Sequence, residues 1–253
     1  HYHDLGPQLL SLLKYLRVIN SGKINNYTLN NFEKEKDIEK NGKVTDLLKP
    51  NQFILVQVIK EPISTKGPRI SCEISLAGRY MVLIPFSDRV SISQKIEIKE
   101  ERTRLKRLVN SIKPKNFGVI VRTVAKQKKV AELDSDLQNL VNRWEKLCKS
   151  IRNINKCPSK VLSEINRTSS ILRDIFDDSF KGIYVDDEIL LQELKEYLDS
   201  IAPKKNEILN FYKDSVPIFE KFGIERQIKT SFGKTVSMKK GAYLVIEHTE
   251  ALH

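Results

Sequence analysis

The chain has 253 residues, a length that suits one large domain or two smaller ones. Hydrophobic residues make up 40% and charged residues 30%, enough to bury a core and unlike a disordered tail. The formal net charge is +12, and no run approaches the roughly 20 apolar residues of a bilayer-crossing helix, which excludes a protein built on such helices.

In chain order, PQLLSLLKYLRVI (7–19) predicts a helix, with Leu9, Leu12, Leu13 and Leu16 at helical spacing and Pro7 in the first turn. Residues 20–43 are rich in Asn, Lys and Glu and predict a long, mobile surface loop. QFILVQVIK (52–60), flanked by Pro50 and Pro62, predicts a strand. Gly67-Pro68 marks a turn, and residues 64–85 then alternate as two strands broken at Gly78. KEERTRLKRLVNSI (99–112) predicts a basic helix with Leu105, Leu108, Val109 and Ile112 inward, ended by Lys113-Pro114.

Phe117–Val121 predicts a buried strand that finishes on Arg122-Thr123. Residues 135–152 predict an amphipathic helix, with Asp134 or Ser135 as N-cap and Trp144 in its apolar stripe. GIYV (182–185) predicts a short strand, and Asp186 or Asp187 opens a helix closed by Ala202-Pro203. One short helix is expected after Pro217, and a hairpin over Thr235–His248 around Lys240-Gly241. Strands and helices alternate irregularly, without βαβ periodicity, so the expected fold class is α+β.

The positive charge is concentrated. Residues 60–130 hold seventeen Lys/Arg against six Asp/Glu, a net +11, whereas 1–59 give +2 and 131–253 give −1. So local an excess points to a polyanionic partner, nucleic acid first. The cysteines (Cys72, Cys148, Cys157) are odd in number and lack CxxC spacing, which argues against a disulfide framework and a self-contained zinc site. That usage suits a reducing, cytoplasmic compartment. The start is polar, unlike a secretory leader, and lacks Met, so a piece of a longer protein is expected.

No phosphate-binding glycine loop or nucleophile elbow is present. The four histidines sit at 1, 3, 248 and 253, a poor placement for a histidine-based centre. The acid pairs Asp177-Asp178 and Asp186-Asp187 read as helix caps. The best physical candidate is Arg122-Thr123. A planar guanidinium at the end of a rigid strand, beside a hydroxyl, suits the compact dianion of a phosphate monoester.

Three long blocks, TKGPRISCEISLAGRYMVLIPFS (65–87), RLKRLVNSIKPKNFGVIVRTVA (104–125) and FGIERQI followed by GAYLVIEHTEAL (222–252), closely resemble the ribonuclease E/G family. The resemblance implies a single-strand-specific endoribonuclease of RNA decay and of rRNA or tRNA processing. It divides the chain into part of an OB-fold RNA-binding barrel (1–71), a 5′-sensor (72–168), an RNase H-like element (169–232) and the start of a DNase I-like catalytic subdomain (233–253). The family's pocket for a 5′-monophosphate falls on Gly78, Val82, Arg122 and Thr123, and an RNA-contacting lysine falls on Lys66.

The implied partner is single-stranded RNA with a 5′-monophosphate. The implied cofactors are Mg2+ for hydrolysis, with both ligating Asp residues expected beyond His253, and Zn2+ at the subunit junction of a homo-oligomer. No metal or catalytic residue is expected in this chain, which is expected to bind RNA without cleaving it. Glu247 and Glu250 read as strand-end surface residues rather than metal ligands. Two other readings fit the same residues. One is a non-catalytic RNA-binding or ribosome-associated module using the basic surface. The other is a binder of small phosphorylated ligands through Arg122 alone.

Overall fold

Short, mainly apolar runs at residues 76–77, 81–85, 90–92 and 117–121 build the sheet that carries the site. The computed structural model describes residues 1–22, 27–154, 156–163, 166–176, 179–201 and 207–247. The chain divides into two compact units, His1–Ile165 and Asn166–His253.

In the first unit a helix, α1 (Leu9–Asn20), precedes a short helical turn, α2 (Val44–Leu47). Strands β1 (Gln57–Lys60) and β2 (Arg69–Ser71) form an antiparallel pair. Strands β3 (Leu76–Ala77), β4 (Met81–Pro85), β5 (Val90–Ile92) and β6 (Phe117–Val121) form a four-stranded sheet in the order β3-β4-β6-β5. Two helices complete the unit, α3 (Lys99–Ile112) and α4 (Val130–Arg152).

Strand β4 shows why the sheet has two unlike faces. Met81, Leu83 and Pro85 are buried, while Val82 and Ile84 alternate with them and are half-buried. Directly across the ladder, Val82 pairs with Ile120, which is exposed. Val119 and Val121 are fully buried on the other face. That inner face packs on Leu133, Leu137, Leu140 and Trp144 of α4 in one continuous core. The core also takes in α1 and the 72–74 segment. Trp144 is 1% exposed and stacks on Tyr15 at 5.8 Å between centroids. It is a core ring, with no face free to stack on a base.

Residues 27–43 differ from expectation. They lack regular structure, but they are pinned to the core rather than loose. Leu29 is fully buried. Tyr15 Oη and Trp144 Nε1 both donate to the Tyr27 carbonyl, at 2.9 and 3.2 Å. Asn116 Nδ2 donates to the carbonyls of Leu29 and Phe32, each at 2.7 Å. The Glu35 N–H donates to Ser11 Oγ at 2.9 Å, and Lys34 pairs with Asp88. Side chains far away in sequence supply what the segment's composition does not.

Other boundaries also move. The first sheet contact of the 52–60 run begins only at Gln57. The helix expected from 135 begins at Val130, because the Lys129 N–H donates to Glu132 Oε2 at 3.0 Å and caps it one turn earlier. Neither Asp134 nor Ser135 is the N-cap. Strand β5 runs parallel to β6 with α3 between them, a β-α-β crossover that the irregular spacing concealed.

The second unit has its own small core of Leu172, Phe176, Val185, Leu194 and Leu198. Helix α5 (Arg167–Ile175) is capped by Asn166, whose side chain accepts from the Ser169 N–H. Strand β7 (Ile183–Val185) leads through α6 (Glu188–Ile201) to a parallel partner, β8 (Leu209–Phe211), a second β-α-β crossover. Asp187 caps α6, accepting from the Leu190 N–H at 2.7 Å. The helix expected after Pro217 is two, α7 (Ile218–Lys221) and α8 (Ile224–Ser231), separated by Gly223 in the left-handed region at φ 66°. Strands β9 (Thr235–Ser237) and β10 (Tyr243–Val245) form the expected hairpin.

The architecture is mixed α+β with small sheets. Among the described residues no sheet closes into a barrel, and no helix is long and apolar enough to cross a membrane. The pair Asp177-Asp178, the Ala202-Pro203 helix end, Glu250, His248 and His253 lie outside the described residues.

Candidate functional site

Strand β6 ends at Val121, and the chain then leaves the sheet through Arg122 into a single 3-10 turn, Thr123–Ala125. The Arg122 N–H donates to the Tyr80 carbonyl at 2.8 Å, so its backbone stays tied to the start of β4. Arg122 follows Ile120 by two residues and therefore shares its face, the outer face that also carries Val82. The guanidinium reaches along this face. Its Nη1 donates to the Gly78 carbonyl at 2.9 Å.

Four of the five residues singled out from the sequence thus meet on one sheet. Gly78 and Arg122 are hydrogen-bonded, Val82 lies on the same face, and Thr123 follows Arg122. Thr123 is exposed, and its hydroxyl lies 3.1 Å from Ser93 Oγ. Lys66 lies apart from that sheet, in the loop that joins β1 and β2. Reciprocal backbone bonds between Ile63 and Lys66, at 3.0 and 3.1 Å, close the tip of the β1–β2 hairpin. Lys66 is exposed there, and the space around Gly67 is open. A separate open cleft of about 330 Å³ between α1 and residues 47–53 contains none of these five.

Sequence reasoning missed three participants. Ser93 presents a second hydroxyl beside Thr123. Arg143, on α4, donates through Nη1 to the Ala77 carbonyl at 3.0 Å. Asp136, also on α4, accepts from the backbone N–H groups of Arg79, Tyr80 and Met81 at 3.0, 2.9 and 3.1 Å. Burial pushes the Asp136 carboxyl above its ordinary range, while those three amides and the Arg122 charge act in the opposite direction. One clue to Asp136 exists in the sequence: it falls three residues after Leu133 and four before Leu140, on the stripe that α4 buries.

Chemically, a guanidinium, two hydroxyls and a tight turn on an open sheet face offer the kind of donors that a compact anion takes. The cluster sits in the strongly basic unit. Residues 1–165 hold 31 Lys/Arg against 17 Asp/Glu, a net +14, and residues 166–253 hold 13 against 15, a net −2. Among the described residues no group of three or more His, Cys, Asp or Glu could hold a metal ion. Glu247 pairs with Lys234 at 3.1 Å.

These features define a basic α+β module with an anion-suited cluster on the open face of a sheet. Residues 75–253 match the family model described as the ribonuclease E/G family. Ribonuclease G of Haemophilus influenzae is 36% identical over 211 residues, covering 83% of this chain and 42% of that protein. Ribonuclease E of Nostoc sp. is 35% identical over 212 residues, covering 83% of this chain and 31% of that protein. Ribonuclease G of Escherichia coli K12 is 34% identical over 212 residues, covering 83% of this chain and 42% of that protein. The chain belongs to the ribonuclease E/G family. It spans less than half the length of these curated relatives.

Proposed function

We propose that the whole protein is a single-strand-specific endoribonuclease of RNA decay and processing, and that this chain supplies its grip on the RNA and on a 5′-monophosphate end. Family membership and the identity of the relatives as ribonuclease G and ribonuclease E support the activity. The observation that carries the end-sensing part is the bond from Arg122 to the Gly78 carbonyl, which holds the guanidinium on the sheet's outer face beside Thr123. Charge-assisted bonds from a fixed Arg, with a hydroxyl alongside, match the three acceptor oxygens of a terminal phosphate. Val82 walls the same face. Lys66, at an exposed hairpin tip, reaches a backbone phosphate further along the strand.

In this reading residues 1–71 serve as part of an OB-type RNA-binding element and 72–168 as the 5′-sensor. Residues 169–232 are an RNase H-like element, and 233–253 lead into the catalytic subdomain. Magnesium belongs to the proposal for the whole protein only. The described residues offer no cluster suited to it, so no residue here is given that role. The same holds for zinc and for assembly into a homo-oligomer.

Fluorescence anisotropy tests the reading. A short single-stranded RNA carrying either a 5′-monophosphate or a 5′-hydroxyl is titrated with the chain and with Arg122→Ala. Losing a charge-assisted contact costs about 1.5–3 kcal/mol, roughly 10- to 150-fold in affinity for the monophosphate end alone. Equal affinity for both ends, unchanged by Arg122→Ala, would remove end-sensing from this chain and leave a general RNA clamp.

A further inference from the structure

We propose that Asp136 is a positioning residue for the terminal-phosphate site, holding the 78–81 turn in register with Arg122. The proposal rests on the reading of Gly78, Val82, Arg122 and Thr123 as that site.

Asp136 lies well inside α4 and has no part in capping it, since Lys129 and Glu132 close that helix end. Its carboxylate instead faces the β3–β4 turn. Oδ1 takes the Arg79 N–H, and Oδ2 takes those of Tyr80 and Met81. Three consecutive amides on one carboxylate fix the turn as an anion-holding nest. The fourth amide, that of Gly78, closes the turn by donating to the Met81 carbonyl at 2.8 Å. With these donors committed, the Gly78 carbonyl points at Arg122 and the Ala77 carbonyl at Arg143. Asp136 and Arg143 are seven residues apart, two turns along one helix face. Helix α4 therefore grips the turn twice, while Arg122 holds it from β6.

The fit is close. A Cβ on Gly78 would stand 2.7 Å from Asp136 Oδ2 and 2.8 Å from Oδ1. The position of Asp136 thus sets where Gly78 lies, and Gly78 sets where the Arg122 fork lies. Supporting residues of this kind decide whether a binding constellation is preformed or loose.

A carboxylate near a phosphate site could act in another way, by repelling the phosphate. The two roles give opposite signs. If Asp136 repels, Asp136→Asn tightens binding of a 5′-monophosphate RNA. If it positions, Asp136→Asn weakens that binding, because the amide presents a donor group to at least one backbone N–H and drops the charge facing Arg122.

The test uses the 253-residue chain and short single-stranded RNA with a 5′-monophosphate or a 5′-hydroxyl. Wild type, Asp136→Asn, Asp136→Glu and Arg122→Ala are compared by anisotropy, and backbone amide exchange is followed in parallel. Asp136→Asn is expected to lower monophosphate affinity about 10-fold and leave hydroxyl-end affinity in place. Exchange at Arg79, Tyr80 and Met81 should quicken, while Val119, whose N–H donates to the Arg89 carbonyl at 2.9 Å, stays protected. A monophosphate preference kept or raised in Asp136→Asn, with Arg122→Ala losing it, sinks the positioning role and spares the site. Equal binding of both ends by wild type sinks the site reading, and the positioning role falls with it. Should Asp136→Asn fail to fold, Asp136→Glu keeps the charge but forces the longer carboxylate against the turn. It should also lose the preference, and full preference there overturns the proposal.

Discussion

At Gly78 the missing side chain matters for space, not for backbone freedom. Its φ lies outside the left-handed region, unlike that of Gly223, so alanine is conformationally allowed. The obstacle is the Asp136 carboxylate, 2.7 Å from where the new Cβ would sit and held in place by three amides. Either the carboxylate or the turn has to give. Overpacking of this kind costs about 1–3 kcal/mol. Gly78→Ala is therefore expected to lower the melting temperature by several degrees and to erase the proposed monophosphate preference together, since both depend on one contact. Thermal melts run beside the end-specific anisotropy titration check this. A variant with wild-type stability and an intact preference would show that the turn has slack.

At the scale of elements, the loop that delivers α4 is clipped to the first turn of α3. Glu101 pairs with Arg104 at 2.7 Å and accepts the Gln127 N–H at 2.8 Å, and Arg104 Nη1 donates to the Lys128 carbonyl at 3.2 Å. The Arg104 bond, helped by the Gln127 amide, draws the Glu101 carboxyl down to about 2. A carboxyl depressed in the folded state stabilises the fold above its unfolded value and loses that contribution as pH falls. The expected window runs from about the ordinary Glu value of 4.5 down to about 2. Arg104 is partly exposed, so solvent screening limits the clip to roughly 1 kcal/mol. Urea midpoints for wild type and Glu101→Gln should differ at pH 6 and converge as pH falls toward 2.5. A constant gap across that range would mean that the clip carries no pH-dependent stability. Helix α3 itself was legible to the residue, because its apolar positions keep helical spacing and Pro114 ends it. The strands β5 and β8 were not. Each is three residues long and exists through pairing with a strand far along the chain. The site shows the same division. Arg122-Thr123 could be read from local chemistry, whereas Asp136 acts on amides more than fifty residues away, a relation only folding creates.

For the whole molecule, the contrast between the two units is electrostatic, net +14 against net −2. The proposed binding of single-stranded RNA should therefore be dominated by phosphate contacts in the first unit and should weaken steeply with salt. Each neutralised phosphate contributes about −0.7 to the slope of log K against log salt for a single strand. Arg122 follows β6 and Lys66 lies in the β1–β2 loop, and they are proposed to meet different phosphates, so the slope separates them. Arg122→Ala should flatten the slope by about 0.7 for RNA with a 5′-monophosphate and leave it unchanged for a 5′-hydroxyl. Lys66→Ala should flatten both by a similar amount, because an internal backbone phosphate is present in either RNA. Anisotropy titrations across a salt series resolve these cases. Equal effects of Arg122→Ala on the two RNAs would assign Arg122 to the backbone track along with Lys66. That outcome would make the first unit a basic clamp that reads strands but not their ends.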